Sequence, residues 1–185
     1  MSMKRGTRIL IFALLAMVAA GCTKQLLQST YDKQETQIES FVEARLKEDE
    51  KATLTRNGGA YRVTLADSLS HADSLDYGGT VKLYWACFVM SGTSISASNL
   101  VATNMKELAQ SAGWELTDNG QYELETLTLD DSLIEGLRLG LHGVKEGDEC
   151  FILFSGKYGF GKMKQGTIPA RSALVYYVWI DSYSN

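Results

Sequence analysis

The chain carries no basic surplus. Eighteen Lys and Arg against 22 Asp and Glu give a formal charge of −4 and a pI near 5.2, without the basic footprint expected of a nucleic-acid binder. It also lacks a long apolar run: residues 9–20 come nearest and fall short of the roughly 20 that a spanning helix needs. Histidine is reduced to His71 and His142, so no Ser-His-Asp or Cys-His arrangement can be argued from spacing. Cysteine stops at Cys22, Cys87 and Cys150, and proline at Pro169. A length of 185 residues excludes a large multidomain enzyme. What is present is a globular mixture, 45% hydrophobic and 22% charged, with enough apolar material for a core. Seventeen glycines and 10% aromatics beside the single proline point to a turn-rich fold with real strand content.

Residues 1–21 read as an address label. Lys4, Arg5 and Arg8 come with no acid, the apolar run follows, and Ala19-Ala20-Gly21-Cys22 closes it. These are a positive n-region, an h-region and a small-residue cleavage site. The last four residues resemble a bacterial lipobox, in which the Cys is lipidated on its sulfur and acylated on the amine freed by cleavage. Cys22 is then the lipidation site, and acyl chains contributing about 0.8 kcal/mol per buried CH₂ anchor the protein to a membrane of the cell envelope. An ordinary signal peptide is the other reading, and both export the chain. Thr23-Lys24-Gln25 has no acidic sorting residue, which favours an outer membrane facing the periplasm. The expected organisation is a signal peptide over 1–21, a lipidated Cys, tether and N-terminal helix over 22–58, and one domain over 59–185.

Residues 23–30 read as a polar tether. Ile38, Phe41, Val42 and Leu46 form one stripe, predicting a helix over 32–46 with Asp32 and Glu35 at its start. Asn57-Gly58-Gly59 reads as a turn, and beyond it Tyr61, Val63 and Leu65 alternate with Arg62 and Thr64 as in a half-buried strand. Residues 66–75 repeat Ala-Asp-Ser-Leu around His71 and read as loop. Residues 80–90 are nearly all apolar or aromatic, as in a central strand buried on both faces. Further on, the pattern predicts a helix over 104–112 ended by Gly113, a strand over 122–129, a helix over 132–139 capped by Asp130 or Asp131, and strands over 149–154 and 173–180. The sum is an α+β fold, an antiparallel sheet of about five strands with a few helices. Cys87 and Cys150 fall in strand-like segments; a disulfide and two buried free thiols both remain open.

Three local patterns have simpler explanations than chemistry. Residues 156–162 fit G-x-x-x-x-G-K, but Met163 stands where Ser or Thr should reach Mg²⁺, and Gly166 and Pro169 interrupt the helix that should follow. No nucleotide is expected. His71 with Asp67, Asp73 and Asp76 lacks a second His or Cys at ligand spacing and reads as a surface loop without a metal. Asp130 and Asp131 could be paired carboxylates, but capping accounts for them.

From about residue 78 onward, three passages carry a family resemblance. Leu133-Ile134-Glu135-Gly136-Leu137-Arg138-Leu139-Gly140-Leu141 resembles the Val-Ile-x-Gly-Trp-x-x-Gly-Leu helix of FKBP-type peptidyl-prolyl isomerases. Gly143-Val144-Lys145-Glu146-Gly147-Asp148-Glu149 is similar to that family's Gly-Met-x-x-Gly turn into the next strand. Tyr158-Gly159-Phe160-Gly161, Gly166-Thr167-Ile168-Pro169 and 173–178 follow its Tyr-Ala-Tyr-Gly, Ile-Pro-Pro and Leu-Val-Phe-x-Val string. The resemblance implies an FKBP-like fold, a curved antiparallel sheet crossed by a short helix, preceded here by an N-terminal helix.

It also implies a site. In such domains a proline ring enters an aromatic pocket between helix and sheet, with no cofactor. Carried over by position, the pocket comprises Trp85, Ile95, Ser96, Leu133, Ile134, Leu137, Tyr158, Phe160, Ile168 and Tyr176. Leu137 stands where active members have Trp, Phe160 replaces a hydroxyl-bearing Tyr, and Ile95-Ser96 stand for a Phe-Asp pair, so the acid is missing. An insert over about 99–120, with Met105, Leu108 and Trp114, would cap the pocket or form a partner surface. The implied activity is weak or residual prolyl isomerisation of exported polypeptides; the alternative is a non-catalytic module holding an envelope protein partner.

Overall fold

The computed structural model describes residues 5–66, 73–116 and 120–185, with side chains from residue 25 onward. Asp67, His71 and the Cys22 side chain thus lie outside the description. The elements are α1 (Arg5–Glu48), β1 (Thr53–Asn57), β2 (Ala60–Ala66), β3 (Thr80–Val89), β4 (Leu100–Thr103), α2 (Lys106–Ser111), β5 (Glu125–Thr128), α3 (Glu135–Leu141), β6 (Glu149–Phe154) and β7 (Leu174–Ser184). The chain divides into two units, one ending at Lys33 and one over Gln34–Asn185. The second contains the sheet and the residues of α1 from Gln34 on, so the compact unit begins earlier than residue 59.

Helix α1 departs most from expectation. Residues 23–30 are helical instead of a tether, and Asp32 and Glu35 lie inside the helix instead of starting it. No glycine or proline stands between Gly21 and Gly58 to stop a helix. Side-chain bonds one turn apart, Gln28 to Asp32 and Thr30 to the Leu26 carbonyl, fit that continuity. Among the described residues, no helix is long and apolar enough to cross a membrane.

The sheet has seven strands where about five were expected, all paired antiparallel in the order β1-β2-β6-β7-β3-β4, with β5 also on β3. The β1–β2 hairpin turns through Gly58 and Gly59 at φ +57 and +109, a left-handed pair that side chains disfavour. One edge of β3 is divided between two partners: Thr80–Leu83 pair with β5 and Ala86–Phe88 with β4. Register shifts at Lys82/Leu83 and Cys87/Phe88 mark bulges, which bend a strand and increase its twist. Residues 100–103, expected within the insert, are therefore part of the sheet, and the excursion starts only after them. Helix α3 begins at Glu135, with Ile134 as its N-cap. Asp130 instead accepts the Ser132 N–H at 2.8 Å, closing a turn; its bonds with Ser132 hold the carboxyl below its usual range.

Alternation along the strands gives the sheet two apolar faces. Ile152 and Phe154 join Leu83, Cys87, Leu137, Leu141 and Val178 on the α3 side. Phe151 and Leu153 join Ile38, Phe41, Val42, Val63 and Val175 on the α1 side, where Phe41 meets Phe151 edge-on at 5.4 Å. Leu108 and Trp114, from α2 and the residues after it, pack on this second face, so the described part of the excursion does not cap the first. Cys87 and Cys150 are free and buried, and burial pushes both thiols up to about 12.

Helix α3 lies close on β6 through two glycines one turn apart. A Cβ at Gly136 would stand 2.2 Å from the Phe154 ring, and one at Gly140 would stand 2.1 Å from Ile152. The other end of α3 is held by buried Arg62, which donates to the carbonyls of Gly140 (3.0 Å), His142 (2.7 Å) and Gly143 (3.2 Å). A guanidinium there satisfies terminal carbonyls and faces the negative end of the helix.

Candidate functional site

Between α3 and the sheet lies a slot of about 100 Å³ lined by Leu83, Trp85, Glu125, Leu127, Leu133, Leu137 and Tyr176. That is roughly three waters' share of liquid volume, room for one small ring. Leu133 comes from the bend before α3 and Leu137 from the first turn of the helix. Trp85 and Tyr176 come from the adjacent strands β3 and β7, with ring centroids 5.8 Å apart. Tyr176 also lies against Phe154 at 6.0 Å. Its hydroxyl is in hydrogen-bond contact with Cys87; burial first, then that thiol, raise it well above its ordinary range.

Trp85 is placed by the break between β4 and β5. Buried Asn104 fills that break: its Oδ1 accepts the Trp85 N–H at 2.6 Å, while its Nδ2 donates to the carbonyls of Leu83 (3.1 Å) and Glu123 (3.0 Å). Thr103 donates to the Trp85 carbonyl at 2.7 Å. The indole N–H, left free of the backbone network, donates to Glu125 Oε2 at 2.6 Å.

The loop after β6 supplies the slot's surroundings. Ile134, Tyr158, Phe160 and Ile168 all pack into the α3-side cluster without lining the slot itself. The Tyr158 carbonyl accepts the Gly136 N–H at 2.8 Å, tying the loop to α3. Its ring passes so close to Gly59 that a Cβ there would stand 2.2 Å away. Gln34 of α1 spans the base of the loop, accepting from Gly156 N at 2.9 Å and donating to the Arg171 carbonyl at 2.6 Å.

Of the residues expected in the site, Trp85, Leu133, Leu137 and Tyr176 meet in the slot, and Ile134, Tyr158, Phe160 and Ile168 surround it. Ile95 and Ser96 do not. They line a separate groove of about 420 Å³ on the α1 side, with Arg45, Phe88, Leu100 and Leu108. The correction follows from β4: the strand that returns beside β3 is 100–103, and its Val101 and Ala102 pack toward the slot's cluster, whereas 91–96 precede it in a loop. Sequence reasoning also missed Leu83, Leu127, Asn104 and Glu125. The alternation of Glu125 with Thr126, Leu127 and Thr128 carried the signal for Glu125, since it puts Glu125 and Leu127 on one face. Among the described residues, no cluster of three or more His, Cys, Asp or Glu is placed to hold a metal.

An antiparallel sheet crossed by a short helix over an aromatic slot defines the class of domain, and the comparisons agree. The family profile of FKBP-type peptidyl-prolyl cis-trans isomerases matches residues 77–181, more than half of the chain, which therefore belongs to that family. No curated protein matches the chain. Among solved structures, FkpA from Escherichia coli is similar at TM-score 0.55 and 15% identity, over 99% of this chain and 74% of that one. A peptidyl-prolyl cis-trans isomerase from Pseudomonas syringae is similar at TM-score 0.56 and 14% identity, over 85% and 96%. The N-terminal domain of FKBP42 from Arabidopsis thaliana is similar at TM-score 0.52 and 14% identity, over 74% and 94%. At these identities the likeness concerns the fold.

Proposed function

We propose that the slot takes the proline ring of an Xaa-Pro segment, and that the protein is an envelope lipoprotein, anchored through Cys22, with weak or residual prolyl isomerase activity on exported polypeptides. The observation that carries this reading is the small apolar slot bounded by Trp85, Leu133, Leu137 and Tyr176. Isomerisation breaks no bond. Only rotation about the X-Pro imide must be eased, against an uncatalysed barrier near 18–20 kcal/mol. The twisted imide has lost resonance and polarity, so a dry slot favours it over the planar form, and differential stabilisation of that kind is catalysis. Leu137 forms the floor beneath the ring, and the Ile134 N–H donates to the substrate carbonyl.

The activity is weak on this reading for three reasons. Leu137 offers less surface than the family's indole, Phe160 has no hydroxyl, and β4 carries Val101-Ala102 in place of an acid-bearing pair. Loss of a hydrogen bond to a charged group, about 1.5–3 kcal/mol, costs roughly ten- to a hundred-fold in rate. The test is exchange NMR of a short Xaa-Pro peptide with the full chain and with Leu137→Ala. Faster cis/trans exchange that Leu137→Ala abolishes supports the enzyme; binding without acceleration makes the domain a peptide-holding module; exchange unchanged by Leu137→Ala overturns the slot assignment.

A further inference from the structure

A carboxylate in this slot is held by an indole and by no cation among the described residues. Among the described residues, Glu125 is the only charged side chain in the lining, and it sits half-buried among Leu83, Trp85, Leu127, Leu133, Leu137 and Tyr176. Strand β5 alternates, with Glu125 and Leu127 turned inward and Thr126 and Thr128 exposed, so the acid occupies an inward position of the sheet. Among the described residues, the only hydrogen bond of its side chain is the one from the Trp85 indole to Oε2. The ion pairs among the described residues are Arg45–Glu48, Arg138–Asp131 and His142–Asp76, and none of them involves Glu125. A negative charge drawn partly out of water and left without a cation is a recognition element for one.

Building on the slot reading above, we propose that Glu125 is a specificity-determining residue that selects prolyl segments with a lysine or arginine immediately flanking the proline. With the ring seated against Leu137, the next side chain of an extended peptide emerges at the slot's rim. A basic stem can lie along the apolar lining while its head reaches the carboxylate. An acidic neighbour meets like charge at the same place, so the residue both attracts and excludes. The indole bond holds Oε2 in place and leaves Oε1 for the incoming donor.

The test titrates the full chain with three short peptides that differ only beside proline, carrying Lys, Leu or Glu, at low and at high salt, for wild type and Glu125→Gln. Binding is read from chemical shifts and turnover from exchange. The expected affinity order in wild type is Lys, Leu, Glu, with Lys over Glu by about ten-fold at low salt. The gap narrows with added salt and falls to within about two-fold in Glu125→Gln. Equal affinities in wild type, or a Lys preference that survives Glu125→Gln, overturn this assignment while leaving the slot intact. Failure of all three peptides to bind wild type overturns the slot reading itself. The wild-type ranking and its salt dependence decide the matter even if the variant folds poorly.

Discussion

Alanine at position 140 should separate α3 from the sheet. A Cβ on Gly140 would stand 2.1 Å from Ile152 Cγ2 and 3.2 Å from its Cβ and Cγ1, whereas ordinary carbon contacts lie near 3.5–4.0 Å. Ile152 cannot retreat, because it is fully buried and paired on both sides, with Arg62 of β2 and Tyr176 of β7. The helix must therefore rise by about 1.5 Å, lifting Leu137 and Leu141 from their contacts. Overpacking of this kind costs about 1–3 kcal/mol, against about 1 kcal/mol gained because alanine favours helix over glycine. A contact as short as 2.1 Å takes the upper part of that range, about 2–3 kcal/mol, so the net loss is about 1–2 kcal/mol, or a fall in Tm of roughly 2–8 °C for a domain of this size. Urea and thermal unfolding of wild type, Gly140→Ala, Ile152→Ala and the double variant make a cycle. Truncating Ile152 removes the 2.1 Å contact and leaves only its Cβ at 3.2 Å, so Gly140→Ala should become nearly neutral or stabilising there. A Gly140→Ala protein as stable as wild type would refute the close approach, and with it the account of how α3 closes the slot.

Asn104→Ala should cost about 2–3 kcal/mol in urea unfolding, because it strips partners from the Trp85 N–H and the carbonyls of Leu83 and Glu123. Asn104→Asp, which keeps the acceptor but buries a carboxylate against those two carbonyls, should cost at least as much. Gln34→Ala should raise amide exchange at Gly156 about ten-fold with a smaller effect on β6, since it frees the base of the loop and leaves the sheet paired. Both buried thiols should resist a thiol reagent at pH 8 until the protein unfolds. Their folded values near 12 lie above the ordinary 9, so the unfolded chain loses protons first as pH rises. Stability is thus intact below about pH 9 and declines toward pH 12, by up to about 1.4 kcal/mol per pH unit for each thiol. A flat stability profile over that window would contradict their burial.

What could be read from the chain was what local pattern controls. The apolar runs of β3, β6 and β7 and the glycine spacing of α3 place the sheet's centre and the helix over it, because those residues are buried wherever the chain goes. Strand β1, Thr53-Leu54-Thr55-Arg56-Asn57, shows no clean apolar face and exists because β2 offers it an edge. β4 is four residues long and owes its position to half of one edge of β3, so the counterpart of the family's Phe-Asp pair falls six residues later than the sequence pattern suggests, on β4 and not in the preceding loop. Four of the seven lining residues, Trp85, Leu133, Leu137 and Tyr176, were legible through the α3 motif and the aromatic strands. Glu125 was not, because an isolated acid in a strand reads as solvent-facing, and the indole that holds it is 40 residues away. The early start of α1 went unseen because polar composition resembles a tether until one asks what would stop a helix.

The region that marks the family and the region that packs as one compact unit are different stretches of chain. A fragment cut to residues 77–181 would keep every slot residue and lose β2, which covers one edge of β6, and the helix that shields Phe151, Leu153 and Val175. It would also lose Gly59, the floor against which the Tyr158 ring rests, and Arg62, the brace of α3. Such a fragment would present a sticky apolar back and an unpaired edge to its neighbours, so its failure in an assay would report aggregation and not chemistry. Anyone trimming this protein for crystals or kinetics should cut no later than the start of the compact unit at Gln34.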